Sequence, residues 1–543
     1  MTTGGILLAL TLAAPLLLLA ACMSARARAG MLKVLWLAPV PGLAAALFAP
    51  DGSTLTLPDT LFGLRFMLDR PGALLLGTAA LLWIAAGVYA VAYRRAASND
   101  GRFAVWWLAT LTGSLGVFIA ADMPSFYLFY AAVSLSAYWL VVDDGTPSAR
   151  RAGTVYVALA LLGEAFLLLA FALLIAHAPE NTLMIGNAVA SLAHSPVRDY
   201  AILLLVLGFG LKIALVPLHV WMPLAYTAAP IPAAAVMSGA AVKAGVIGLI
   251  RFLPFDAAMP AWGEALAAIG LFSAFYGVAI GITQTNPKTI LAYSSISQMG
   301  VIATVLGMGL AKGDSAVALL VAFYALHHIL VKGGLFLAVG IVLQSSRHRF
   351  WLVIVPAAII ALGLGGLPLT GGMLAKYAVK EPLGQGVVGA LAMVSAACSI
   401  LLMVHFIRRL TAIPAPDAAV SRKLGLPWLA IAVASIVLPW VLYTPVTGAT
   451  LSELFAIKPL LESSWPVLLG GAAALLLYRF DRMLPAIPAG DLVTLARPLS
   501  SFALKLSSRV ESLDTALRQW PVAGAMLLSG VLVLIGCFWW PGI

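Results

Sequence analysis

The sequence has little charge. Asp, Glu, Lys and Arg make up 10% of its 543 residues, whereas a soluble globular domain carries about a quarter. With 62% hydrophobic residues and a mean hydropathy of +1.03, an ordinary water-soluble fold is excluded. Cysteine is scarce too: Cys22, Cys398 and Cys537 stand alone in or beside apolar runs, with no CxxC and no Cys/His ligand spacing. That speaks against iron–sulfur, zinc and haem sites, so no cofactor, no metal site and no active site of the chain's own is expected. The first apolar run, GGILLALTLAAPLLLLAAC, imitates a lipoprotein signal ending at Cys22, yet no Lys or Arg precedes it; Arg26, Arg28 and Lys33 follow. This order predicts a retained first helix with its N-terminus outside. Also missing is any basic run interleaved with aromatics, so the net charge of +11 reads as topogenic charge in cytoplasmic loops and no nucleic acid is expected.

What the chain does have is apolar runs of about 20 residues, each able to cross a hydrocarbon core of about 30 Å as a helix. They lie near 3–22, 32–49, 72–93, 104–121, 125–142, 153–176, 200–226, 232–252, 262–284, 289–310, 316–344, 351–379, 386–407, 426–446, 465–479 and 522–540. The sequence therefore predicts an all-α polytopic membrane protein with about 14 to 16 transmembrane helices. The short alternating segments of a closed barrel are not there. Assigning the basic residues to alternating sides puts 21 on one side and 7 on the other, and the remaining 4 of 32 fall inside runs. This bias places both termini outside, and a bacterial cytoplasmic membrane is the expected location. It also isolates Lys212, Lys243, Lys332 and Lys376 as lysines with no topogenic role.

Two runs are interrupted. LKIALVPLHVWMPLAYTAAPIP carries Pro217 and Pro223 at mid-depth, and LGLGGLPLTGGMLAKY has glycines around Pro368. Both are expected to be broken helices, near 212–226 and 363–376, because irregular backbone persists at membrane depth only where protein or a watered cavity satisfies it. Their spacing of five runs predicts two inverted five-helix repeats. The expected organisation is N-terminal helices in 1–122, a first repeat in 123–252, a second in 260–410, and C-terminal helices in 411–543. An amphipathic segment at 480–520, bearing Arg509, Glu511, Asp514 and Arg518, is expected to lie on the membrane surface.

An ionised lysine at the bilayer centre costs from about 3 to more than 10 kcal/mol, so such residues face protein or water and serve a pathway. Lys212 lies beside the first break, Lys243 sits in VMSGAAVKAGVIGLI too deep to snorkel, and Lys376 follows the second break. In YALHHILVKGGLFL, Tyr324, His328 and Lys332 are spaced i, i+4, i+8 and share one helix face, with His327 about 100° away. Glu164, in ALALLGEAFLLLA, is the only carboxylate deep in any run and is the expected partner of a lysine such as Lys212. Lys288 opens its run near the basic side, where position alone reads as topogenic.

KIALVPLHVWMPLAYTAAP, NPKTILAYSSISQMG, HHILVKGGLFL and GGMLAKY occur in this order. They resemble the signature segments of the antiporter-like, proton-translocating subunits of respiratory complex I, multisubunit Na+/H+ antiporters and group 4 membrane-bound hydrogenases. VMSGAAVKAGVIGLIRF and ARRAGTVYVAL are most similar to the large subunit of hydrogenase-4 and formate hydrogenlyase complexes. The resemblance implies a core of fourteen helices, no redox cofactor in this subunit, and partners in a multisubunit complex with a peripheral redox or soluble module. It also implies a proton pathway through Glu164, Lys212, Lys243, Lys288, His328, Lys332 and Lys376. Two positions depart from the pattern: Ala131 stands where the family carries a glutamate on its fifth helix, and Leu224 stands where the family's broken helix carries an acid after its LP. Two other readings stay open, a cation-coupled membrane subunit of an inorganic-carbon uptake complex, and an assembly scaffold with impaired conduction.

Overall fold

The computed structural model describes residues 2–491 apart from 59–62, 95–98, 345–349, 414–420 and 481–483. The expected span at 522–540, Cys537 and nearly all of the expected surface segment 480–520 lie outside the described residues. All the elements below belong to the unit Met1–Ala489.

The other fifteen expected spans are helices. They are α1 Thr3–Ala21, α2 Ala25–Phe48, α3 Arg70–Tyr93, α4 Asp100–Ile119, α5 Met123–Val141 and α6 Pro147–His177. A broken helix follows, α7a Arg198–Ile213 and α7b Trp221–Ala228. Then come α8 Ile231–Phe252, α9 Pro260–Gly281, α10 Pro287–Lys312 and α11 Val317–Leu343. The second broken helix is α12a Trp351–Gly363 and α12b Gly371–Ala378, followed by α13 Val387–Thr411, α14 Arg422–Thr447 and α15 Ile457–Arg479. The chain is an all-α polytopic membrane protein.

The sequence missed a small antiparallel hairpin between α2 and α3, β1 Ser53–Leu57 with β2 Leu64–Leu68, in which Leu55 pairs with Phe66. Five-residue strands are too short to register against helix-length apolar runs. Helix ends also differ: α15 begins eight residues before the expected 465. Lys458 and Glu462 lower local hydropathy there without costing helical backbone anything.

Start signals are chemically conventional. Asp69, Asp122 and Thr146 accept from the first free N–H groups of α3, α5 and α6, each with proline in the opening positions. Arg251, at the end of α8, donates to Asp69 Oδ1 at 2.9 Å and to the terminal carbonyls of α4, Phe118 O at 2.7 Å and Ala120 O at 2.6 Å. One guanidinium thus ties three helix ends together, the cation sitting where helix carbonyls concentrate negative charge.

The helices differ in how far they are withdrawn from lipid. In α8 and α10 the whole apolar window is inside the protein, and in α11 94% of it, against 33% in α6 and 17% in α15. Lipid tails give no hydrophobic incentive for helix association, so close packing relies on small residues. A Cβ on Gly270 of α9 would lie 2.6 Å from Gly300 O of α10, and one on Gly300 would lie 2.4 Å from Gly270 O. This approach sets α10 against α9 and turns its other faces toward α8 and α11.

Candidate functional site

The two breaks position the outer lysines. At the first, Ala214 takes a left-handed conformation, φ +60°, and stops α7a just after Lys212. The freed backbone is met from several directions. Leu215 N donates to Gly210 O at 2.9 Å, Val216 N to Ser273 Oγ of α9 at 3.0 Å, and the Trp221 indole to Leu211 O at 2.8 Å. The second break runs through Gly366, φ +95°, and Leu369, φ +62°. Here the chain recrosses itself so closely that a Cβ on Gly372 would lie 1.6 Å from Gly363 O. The Lys376 side chain folds back over Gly366, its Cδ 3.0 Å from where a Cβ there would stand.

Around Lys212 the chemistry is mixed. Its Nζ donates to Ser134 Oγ of α5 at 2.7 Å and lies 5.4 Å from the centre of the Tyr130 ring. Glu164 of α6 is buried beside the same serine and within electrostatic reach of Lys212, while its Oε1 has no hydrogen-bond partner among the described residues. Tyr156 Oη donates to Ser134 O at 2.8 Å and fixes the backbone that presents the hydroxyl. A cavity of about 10 Å³ adjoins Ser134, Tyr156 and Lys212, the size one water needs. Ala131 lies one turn before Ser134 on α5, so Ser134 stands near the place where the resemblance calls for a carboxylate.

The centre is wholly basic. Lys243, His328 and Lys332 are each 0% exposed. Lys243 Nζ donates to Gly239 O at 3.0 Å and meets His328 Nδ1 at 2.8 Å. Lys332 Nζ donates to Leu291 O of α10 at 3.0 Å, and that carbonyl also accepts from Ser295 Oγ at 3.0 Å. Ser295 in turn meets Ser238 of α8 at 3.1 Å. Gly239 and Ser238 belong to a π-helical turn, Met237–Ala241, which widens α8 where Lys243 needs an extra carbonyl. Helices α8, α10, α11, α12a, α12b and α13 contain no Asp or Glu at all.

The stripe on α11 therefore hydrogen-bonds to two neighbours, α10 and α8. Its eight residues rise about 12 Å, so Lys332 reaches α10, His328 reaches α8, and Tyr324 Oη donates to Gln298 Oε1 at 2.7 Å. Gln298 Nε2 continues to Ser399 Oγ of α13 at 3.0 Å. Lys376 Nζ lies 5.9 Å from the Tyr324 ring centre. Lys288 is placed differently from the other lysines. It donates to Thr227 O at 2.7 Å and Ala229 O at 2.5 Å, capping the C-terminus of α7b.

Two histidines were not among the sequence candidates. His327 packs on the second break: its ring atoms come within 3.1 Å of Cβ positions on Gly371 and Gly372, and it lies in electrostatic reach of Lys376. Its turn away from His328, which made it a mere neighbour in sequence, aims it at α12. His219 is fully buried in the first break, edge-on to Tyr276 at 5.1 Å. The PLHVW segment in which it sits was its only signal.

A lysine at each broken helix and a buried lysine–histidine contact between α8 and α11 agree with the comparisons to known proteins. Residues 120–403, more than half of the chain, match the family described as NADH:quinone oxidoreductase/Mrp antiporter, TM. The chain belongs to this family. Hydrogenase-4 component B of Escherichia coli (strain K12) is 30% identical over 301 residues, 53% of this chain and 44% of that protein. NADH-quinone oxidoreductase subunit N of Desulforudis audaxviator (strain MP104C) is 31% identical over 388 residues, 66% of this chain and 76% of that one. The chain spans about half the length of several curated relatives it matches. The solved Mrp complex from Dietzia sp. DQ12-45-1b shares the fold with a TM-score of 0.80 at 21% identity, covering 98% of this chain and 63% of the matched one.

Proposed function

We propose that this antiporter-like chain moves protons, or another cation, as a membrane subunit of a larger redox-driven complex. One observation carries the reading: the 2.8 Å contact between Lys243 Nζ and His328 Nδ1 in a fully buried core with no carboxylate on its helices. A nitrogen-to-nitrogen hydrogen bond needs a lone pair on one side, so the pair holds one proton fewer than its full complement. A shared proton in a low-dielectric core is mobile toward whichever side a neighbouring change favours.

The first half-path is Glu164, Ser134 and Lys212. The centre is Lys243, His328 and Lys332, and the outer half runs by Tyr324 and His327 to Lys376. Lys288 contributes by holding α7b in place. The two broken helices fit inverted repeats over 123–252 and 260–410. The basic-residue bias supports both termini outside, and the bacterial relatives support a bacterial cytoplasmic membrane. Partners would be other membrane subunits and a peripheral redox module, which would supply the driving force. The Ser134 and Glu164 environment of Lys212 counts against a scaffold with a dead first half, since it keeps an acid partner near the lysine despite Ala131.

The test is proton uptake into everted vesicles carrying the full chain with its co-purifying subunits. Lys212→Ala and Lys332→Ala should each abolish most uptake; uptake equal to the unmodified chain sinks the proposal. The identity of the co-purifying subunits separates a redox complex from an inorganic-carbon uptake complex with a soluble zinc protein.

A further inference from the structure

The path as read so far ends on Lys376, with no acid to take its proton onward. Beyond Lys376 lies a cavity of about 130 Å³, room for several waters, between α12b, α13 and α15. Its inner end is polar, at Lys376 and Tyr324, and its outer end is polar again, at Lys380 and Glu462. Met373, Met393 and Pro466 form much of the wall between them, so a proton crosses it chiefly on water. Lys380 Nζ and Glu462 Oε2 are 2.5 Å apart, and both side chains are 31% exposed, which puts the pair at the mouth.

We propose that Glu462 is the terminal proton acceptor of the outer half-path and that Lys380 latches the mouth shut. The inference rests on reading Lys376 as part of the path. A proton leaves the Lys376 ammonium, whose amine stays in place, crosses on cavity water, and protonates the Glu462 carboxylate. Neutral Glu462 no longer holds Lys380, so the mouth relaxes; the proton then passes to outside water and the ion pair re-forms. The titratable groups facing the cavity are Lys376, Tyr377 and Lys380 from the α12 side and Tyr324 from α11. Lys312 of α10 stands beside the mouth, donating to Pro382 O at 2.8 Å. Glu462 rides on α15, the least buried of the candidate spans at 17%.

Accessibility of the cavity tests the latch without relying on transport. In the full chain with Cys22, Cys398 and Cys537 changed to Ser, Ala396→Cys places a thiol on the cavity wall. A charged, membrane-impermeant methanethiosulfonate reagent is then added from the outer side. Glu462→Gln or Lys380→Met should raise the labelling rate about fivefold, the population shift a partly exposed ion pair supports. The reversed pair, Lys380→Glu with Glu462→Lys, should return it to the slow rate. Labelling that ignores the pair overturns the latch. In vesicles, Glu462→Gln should lower proton uptake about tenfold or more, as removal of a positioned proton acceptor does. Uptake unchanged by Glu462→Gln overturns the acceptor role. Uptake unchanged by Lys376→Ala instead overturns the path reading, and the labelling result still decides the latch.

Discussion

Lys212 and Lys243 lie on adjacent helices, close enough that a Cβ on Gly245 of α8 would meet the Lys212 Cβ at 3.0 Å, yet their surroundings differ in kind. Lys212 has a hydroxyl, an aromatic ring, a carboxyl and a water-sized cavity. Lys243 has a carbonyl and a histidine. Around Lys212 a positive charge is compensated locally. Around Lys243 an added proton meets other bases: two unit charges about 4 Å apart repel by about 4 kcal/mol at an effective dielectric of 20, roughly a thousandfold in occupancy. On the proposed path, the first region would hold a proton and the second would pass one on.

Breaking the central region should have the largest effect. Lys243→Met takes away the nitrogen partner of His328 and should lower proton uptake on the order of a hundredfold, the scale of a lost proton-transfer group. His328→Ala added to it should cost little more, because the two act as one unit; additive losses would separate them. The breaks differ in the same sense. Gly372→Ala should leave little folded protein in detergent chromatography, since a Cβ 1.6 Å from Gly363 O forces the backbone apart. Ala214→Gly should be neutral or raise the melting temperature slightly, because Ala already pays about 1 kcal/mol for its positive φ.

In the first region, Glu164→Gln should slow uptake about tenfold by removing the compensating charge. Ala131→Glu in the same chain, one turn from Ser134, should restore much of the loss; no restoration would show that a carboxylate on α5 cannot reach Lys212. The smallest effect is expected from Ser134→Ala, about threefold, because a water can replace a hydroxyl bridge at little cost. A loss as large as that of Glu164→Gln would make the serine an obligatory relay.

Much of this was legible beforehand because a membrane imposes strong rules. A helix must supply about 20 apolar residues, and a charge within it needs a reason, so α1 to α15 and the four inner lysines stood out at once. Glu164 was visible for the same cause. Glu462 was not, because an acid near a helix end is unremarkable until the fold brings Lys380 to it. Lys288 looked topogenic, and only the approach of α7b to α10 turned it into a cap. Helical geometry turns His327 away from His328 but is silent about what packs on that other face.

By itself the sequence determined that the chain spans a membrane many times, where its helices break, and which residues are too costly to be there by accident. Hydropathy and side-chain charge are local properties, and lipid reads them locally. The tertiary structure decided the pairings: Lys212 with Ser134 and Glu164, Lys243 with His328, Lys332 with a carbonyl of α10. Those depend on crossing angles and on close approaches such as Gly270 with Gly300, which join residues far apart in the chain and leave no periodic trace along it.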